Sequence, residues 1–248
     1  MRATTLLVLA VIILVVLVSV PVAQAQYGTG FTTFTQLTGA VTVNTATIAA
    51  DVLTTRHEVG AAATAIAGAG VTRDAAQGLP IFTNSVLTLT TRLEVDGATS
   101  LGGVNALANM CFGITDDADK PDALAYNSCF YDGGDRTYDT VYWDLQLVRS
   151  GDNIEATLQG IAMDGSSNFG TAFTTSFTLS GSDFFVWVRL TFDTRTSPMT
   201  IDWHYATGQA VPNTWTLARS VASSALFGTQ SLTNYVMSYS RANGGVGS

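Results

Sequence analysis

The sequence predicts an all-β protein, a two-sheet antiparallel β-sandwich of the jelly-roll kind behind an N-terminal signal peptide. Apolar residues recur at a spacing of two through most of the chain, and Thr, Val, Phe, Tyr and Trp are plentiful. Clusters of Pro, Gly, Asp and Asn separate the runs at the short intervals expected of sandwich strands. With 248 residues, 47% hydrophobic and only 12% charged, the chain has enough apolar material for a core and lacks the composition of a disordered polymer.

The first element is a targeting segment. Met1-Arg2 is a short basic start, Leu6 to Val20 is apolar apart from Ser19, and Pro21 breaks the run ahead of Ala23-Gln24-Ala25. That is the layout of a secretory signal peptide with an A-x-A cleavage site, which predicts residues 1–25 as the signal, a domain over 26–248, and a secreted, extracellular protein. An uncleaved anchor is the alternative, because the run extended to Ala25 approaches the ~20 residues that span a bilayer. The small residues at the cleavage offset favour removal, and with it no membrane association.

The next segments are Gln26 to Thr38, an extended Gly-, Thr- and Phe-containing stretch, and Gly60 to Gly70, an Ala/Gly-rich stretch that reads as a loop. Leu87, Leu89, Leu93 and Val95 alternate with Thr88, Thr90, Arg92 and Glu94, as a half-buried strand should. Further strands are predicted at Trp143 to Val148, Ile154 to Leu158, Phe173 to Leu179 and Tyr235 to Tyr239. Two late strands have the clearest faces: Val186, Val188, Leu190 and Phe192 on one side of the first, and Met199, Ile201, Trp203 and Tyr205 on one side of the second. Turns are expected at Asp132 to Asp135, Ser150 to Asn153 and Asp164 to Ser167, where Gly supplies positive φ. Pro80, Pro121, Pro198 and Pro212 fall between strands, where a residue with no N–H does not interrupt a ladder.

Composition narrows the function classes. Lys120 is the single lysine, and 11 basic residues face 19 acidic ones, so no basic stripe is available for nucleic-acid phosphates. Cys111 and Cys129 have neither the spacing nor the neighbouring His of a zinc or thioredoxin-like site. In an oxidising compartment they read as a disulfide, worth roughly 3 kcal/mol in the chain-entropy model; a pair of buried free thiols is the competing reading.

The faces opposite the apolar sets carry a binding candidate. Tyr142, Asp144 and Gln146, Trp187 and Arg189, and Asp202 and His204, together with Arg92 and Glu94, project away from the expected core. Aromatic rings beside carboxylates and guanidinium groups suit carbohydrate, since sugar C–H faces stack on indole or phenol while hydroxyls take polar bonds. The competing reading is a solvated sheet face with charges paired across strands. A second candidate is acidic: eight Asp lie between Asp116 and Asp144, offset only by Lys120 and Arg136. Asp116, Asp117 and Asp119 on one loop and Asp132 and Asp135 on the next are hard oxygen ligands of the type Ca²⁺ takes. Neither run has EF-hand spacing, and a solvated acidic surface is the favoured reading.

The stretch Phe184-Phe185-Val186-Trp187-Val188-Arg189-Leu190-Thr191-Phe192-Asp193, then Met199 to Gly208 with Thr200-Ile201-Asp202-Trp203-His204-Tyr205, then Thr214-Trp215-Thr216-Leu217-Ala218, resembles the late strands of concanavalin A-like lectin/glucanase jelly rolls. The resemblance covers about fifty residues and otherwise only strand rhythm; it implies two stacked antiparallel sheets and glycan binding or an accessory role, function being carried by analogy. Glycosidases of that kind need a strand reading Glu-x-Asp-x-(x)-Glu, which places acid and nucleophile on either side of the sugar ring. Glu94-Val95-Asp96 is the only partial match and has no second Glu after it. There is no G-x-S-x-G elbow either, so Asp202 and His204 share a strand side without an identifiable nucleophile. The sequence therefore predicts a secreted, non-catalytic carbohydrate-binding or adhesion module requiring no cofactor, with Ca²⁺ as an optional ion. An exported structural subunit of a surface layer or filament, self-associating through Gln26 to Thr38, is the alternative.

Overall fold

The computed structural model describes residues 32–38, 41–49, 52–59, 66–73, 84–96, 107–116, 139–150, 153–164, 167–179, 182–223 and 233–241. All regular structure among them is strand: β1 (Thr32–Thr38), β2 (Val41–Ala49), β3 (Val52–Val59), β4 (Ile66–Arg73), β5 (Val86–Val95), β6 (Leu107–Thr115), β7 (Thr140–Ser150), β8 (Asn153–Asp164), β9 (Ser167–Leu179), β10 (Phe184–Asp193), β11 (Met199–Thr207), β12 (Thr216–Ser223) and β13 (Thr233–Arg241). A seven-stranded sheet runs β1-β4-β13-β6-β7-β8-β9, and a four-stranded sheet runs β12-β11-β10-β5; every pairing is antiparallel. The two sheets face each other across one core, so the chain is the antiparallel β-sandwich its alternation predicts. A third, two-stranded sheet of β2 and β3 was not anticipated; Leu53 on β3 packs against the same core.

The core follows from the alternation. Val186, Val188, Leu190 and Phe192 on β10 and Ile201 and Trp203 on β11 have no solvent exposure, and they meet Val141, Trp143, Leu145 and Leu147 of β7 and Ala156 and Leu158 of β8. Two tryptophans tie the layers together in opposite directions. Trp143 Nε1 donates to Arg189 O at 3.0 Å, reaching from the large sheet to the small one, while Trp203 Nε1 donates to Tyr142 O at 3.1 Å, reaching back. A buried indole needs such a partner, and these bonds also fix the sliding of one sheet over the other. Trp203 fits only because β8 has Gly160 beneath it: a Cβ there would stand 2.5 Å from the indole Cδ1.

The strands on either side of two of the expected turns pair with each other, Ser150 opposite Asn153 and Asp164 opposite Ser167. The third, Asp132 to Asp135, lies outside the described residues, as do residues 1–25 and the C-terminal tail after 241. One expectation is corrected. The second half of the Gly60 to Gly70 stretch is strand β4, hydrogen-bonded between β1 and β13 in the seven-stranded sheet. Its weak intrinsic propensity is overridden by ladder bonds on both edges, which a single-sequence reading does not see. The stretch Gln26 to Thr38 is likewise engaged within its own chain over Thr32–Thr38, as the edge strand beside β4.

Candidate functional site

The structure divides the expected binding residues between two sheets. Trp187, Arg189, Asp202 and His204 lie together on the outer face of the four-stranded sheet, whereas Tyr142, Asp144 and Gln146 lie on β7 of the seven-stranded sheet. The sandwich core separates the two groups, so they cannot act on one ligand.

On the four-stranded sheet, register sets the neighbours. Trp187 stands opposite Arg92 of β5, and Arg189 stands opposite Thr90 on one side and His204 on the other. The Arg92 guanidinium carbon lies 5.2 Å from the Phe185 ring centroid and 5.9 Å from that of Trp187, within cation–π range of both. Arg92 also donates to Gln209 O at 3.0 Å and to Glu94 Oε2 at 3.2 Å, which pins the turn after β11 to the edge of the sheet. Gly208 starts that turn at φ +117, a left-handed conformation open to glycine, and its N–H donates to Phe185 O. The chain then returns over the face, so that the Arg189 guanidinium carbon lies over the Trp215 ring, 3.8 Å from its centroid.

Three buried nitrogens on this face have no hydrogen-bond partner: Trp187 Nε1, Arg189 Nε and His204 Nδ1. Each such group forgoes on the order of 1–3 kcal/mol relative to a satisfied one, an unusual concentration for three adjacent side chains. Burial lowers the pKa of His204, with the neighbouring Asp202 opposing and Arg189 reinforcing the shift. Burial also lowers that of Arg189, which stays charged because a guanidinium starts so high.

The seven-stranded sheet holds a different arrangement. Asp144 is 6% exposed, and Asn109 on β6 and Gln159 on β8 close on it from both sides. Asn109 Nδ2 donates to Oδ1 at 2.6 Å and Gln159 Nε2 to Oδ2 at 2.9 Å. Desolvation raises the Asp144 pKa from 3.8 to about 6 against the opposing effect of both amides. Tyr142 is also buried, at 6%. Tyr142 and Asp144 do lie on the side of β7 away from the core residues, as expected, but both are buried there, and only Gln146 of the three is partly exposed.

Cys111 is fully buried on β6, with its Sγ 3.8 Å from Asp144 Oδ1. Its expected partner Cys129 lies outside the described residues, as do Asp117, Asp119, Asp132 and Asp135 of the expected calcium set. Asp116 is described and buried; its Oδ1 accepts from Asp139 N at 2.7 Å, closing the end of the β6–β7 ladder. Among the described residues no group of three or more His, Cys, Asp or Glu is placed to hold a metal ion. Sequence reasoning missed Trp215 as a site residue, and missed Asn109 and Gln159. The first had a signal, an aromatic directly after the Pro212-Asn213 turn; the other two were mid-strand amides in otherwise apolar runs.

No protein-family model and no curated protein matches the chain. Among solved structures it is similar to a mutant carbohydrate recognition domain of Emp46p, at TM-score 0.45 and 9% identity, over 86% of this chain and 82% of that one. It is also similar to an endo-1,3-beta-glucanase from Streptomyces sioyaensis, at TM-score 0.28 and 11% identity, over 71% and 69%.

Proposed function

We propose that the protein is a secreted, non-catalytic carbohydrate-binding or adhesion module of the concanavalin A-like type, and that the outer face of the four-stranded sheet is its binding surface. The observation that carries this is the pairing of two indoles, Trp187 and Trp215, with two guanidinium groups, Arg92 and Arg189, beside Asp202 and His204 on one sheet face. Indole supplies a flat apolar platform for a sugar ring, and the polar groups around it supply directional bonds to hydroxyls. The non-catalytic reading rests on the missing Glu-x-Asp-x-(x)-Glu strand and on the engagement of Glu94 with Arg92 at the end of β5. A glycan array probed with the full chain, with and without calcium, tests the reading: specific binding to a glycan class supports it, and an empty array sinks it. A calcium requirement would bring the Asp116 to Asp135 loops into the site; its absence would leave them as acidic surface.

Export and the Cys111–Cys129 disulfide belong to the same proposal. Intact-mass measurement of secreted material should find an N-terminus at Gln26 and a mass two hydrogens below the reduced value. Retention of Met1 would instead place the protein at a membrane. The alternative of a self-associating structural subunit is separated by size-exclusion chromatography, which should give a monomer for the module and a concentration-dependent larger species for the subunit.

A further inference from the structure

Arg92 and Arg189 occupy neighbouring strands of one sheet face and differ in how their charge is met. Arg92 donates to Glu94 Oε2 and to Gln209 O. No side-chain hydrogen bond or ion pair of Arg189 is present among the described residues, and its guanidinium packs on the Trp215 ring. The Arg189 Nε is buried without a hydrogen-bond partner, and the residue as a whole is half-buried. A guanidinium packed against an indole gives up rotamer freedom before any ligand arrives, and its planar fork of N–H donors matches the two oxygens of a carboxylate or a sulfate. Trp187, two residues along the same strand, presents its ring on the same side.

The chain as a whole carries a formal charge of −8, so its overall field repels anions, and attraction must come from local geometry. Glu94 is engaged with Arg92, and Asp202 stands opposite Thr191 and Ser220, not opposite Arg189. Among the described residues the face thus holds one cation with no carboxylate bonded to it, flanked by two indoles.

We infer that Arg189, between Trp187 and Trp215, is a subsite for an acidic sugar, whose carboxylate or sulfate ester takes the guanidinium fork while its ring lies against indole. The inference rests on the carbohydrate reading above and adds the charge class of the ligand.

Calorimetric titration of the full chain with polygalacturonate, with a sulfated galactan and with neutral galactan tests it. An acidic polymer should bind about tenfold or more tightly than the neutral one, as a charge-assisted bidentate contact allows, and should weaken as salt is raised. Preference for polygalacturonate identifies the carboxylate as the recognised group, and preference for the sulfated polymer identifies the ester. Arg189→Met keeps the apolar stem and should abolish that tenfold preference, leaving acidic and neutral galactan bound with similar affinity. Arg189→Lys keeps the charge but not the fork and should lose several-fold, which keeps the test decisive should the methionine variant fail to fold. Unchanged acidic binding in either variant, or equal affinity for acidic and neutral galactan, overturns the subsite while leaving carbohydrate binding in place. Absence of binding to all three polymers, together with an empty glycan array, overturns both.

Discussion

Asp144 on β7 and Arg189 on β10 are both ionisable residues at mid-strand, each on the side of its sheet away from the shared core. Asp144 is enclosed, met by amide donors from both neighbouring strands, and pushed toward its neutral form, with a pKa of about 6. Arg189 is half-covered, met by an aromatic ring and no counter-charge, and remains ionised. A carboxyl can escape desolvation by taking a proton near neutral pH; a guanidinium has no such route. The difference teaches which of the two is a structural group and which keeps unspent bonding capacity for a ligand.

The largest way to break this comparison is to disconnect the two sheets. Trp203 is fully buried, lies over Gly160 and bonds to Tyr142 O, so Trp203→Ala should cost about 3–5 kcal/mol in urea denaturation. A loss below ~1 kcal/mol would mean that the sheets are not held by this ring.

Next in size is the proton on Asp144. Its folded pKa of about 6 lies above the ordinary 3.8, so the folded state holds the proton more tightly than the unfolded state does. The associated stability is fully present below about pH 4 and is lost as pH rises through about 6, a swing on the order of 3 kcal/mol. Asp144→Asn should flatten that loss and be at least as stable as wild type at neutral pH, because Asn109 can turn its unpartnered Oδ1 toward the new amide. Parallel pH–stability curves for the two proteins would show that Asp144 is not the titrating group.

Smaller still is the effect of one stacking platform. Trp187→Ala should remove about 1–2 kcal/mol of glycan binding, roughly tenfold in affinity, with little change in melting temperature. A collapsed fold would make Trp187 a packing residue. The smallest effect belongs to Glu94→Gln: the Arg92–Glu94 pair is partly exposed at 3.2 Å, and its loss should change stability by less than ~1 kcal/mol. If that substitution released Arg92 to bind acidic glycan as Arg189 is inferred to, the contrast between the two arginines would be confirmed from the opposite side.

What the sequence determined by itself was the class of the fold and the two faces of its best strands. Period-two alternation assigned the core side of β5, β10 and β11 correctly because a strand has only two sides and a one-residue slip would expose every apolar group. Alternation could not say which strands are neighbours, nor whether an outward side is covered. Tyr142 and Trp187 look alike in sequence, each an aromatic out of phase with an apolar run. Only the tertiary structure makes the first a buried residue and the second part of a half-open face. β4 was missed for the same reason: its Ala and Gly residues carry little propensity, and the bonds that hold it come from β1 and β13 at opposite ends of the chain. Tertiary structure likewise decided that Trp215 would lie on Arg189 and that Asn109 and Gln159 would bracket Asp144. Those contacts depend on register and on the path of a turn, and neither is encoded in the local pattern of any one strand.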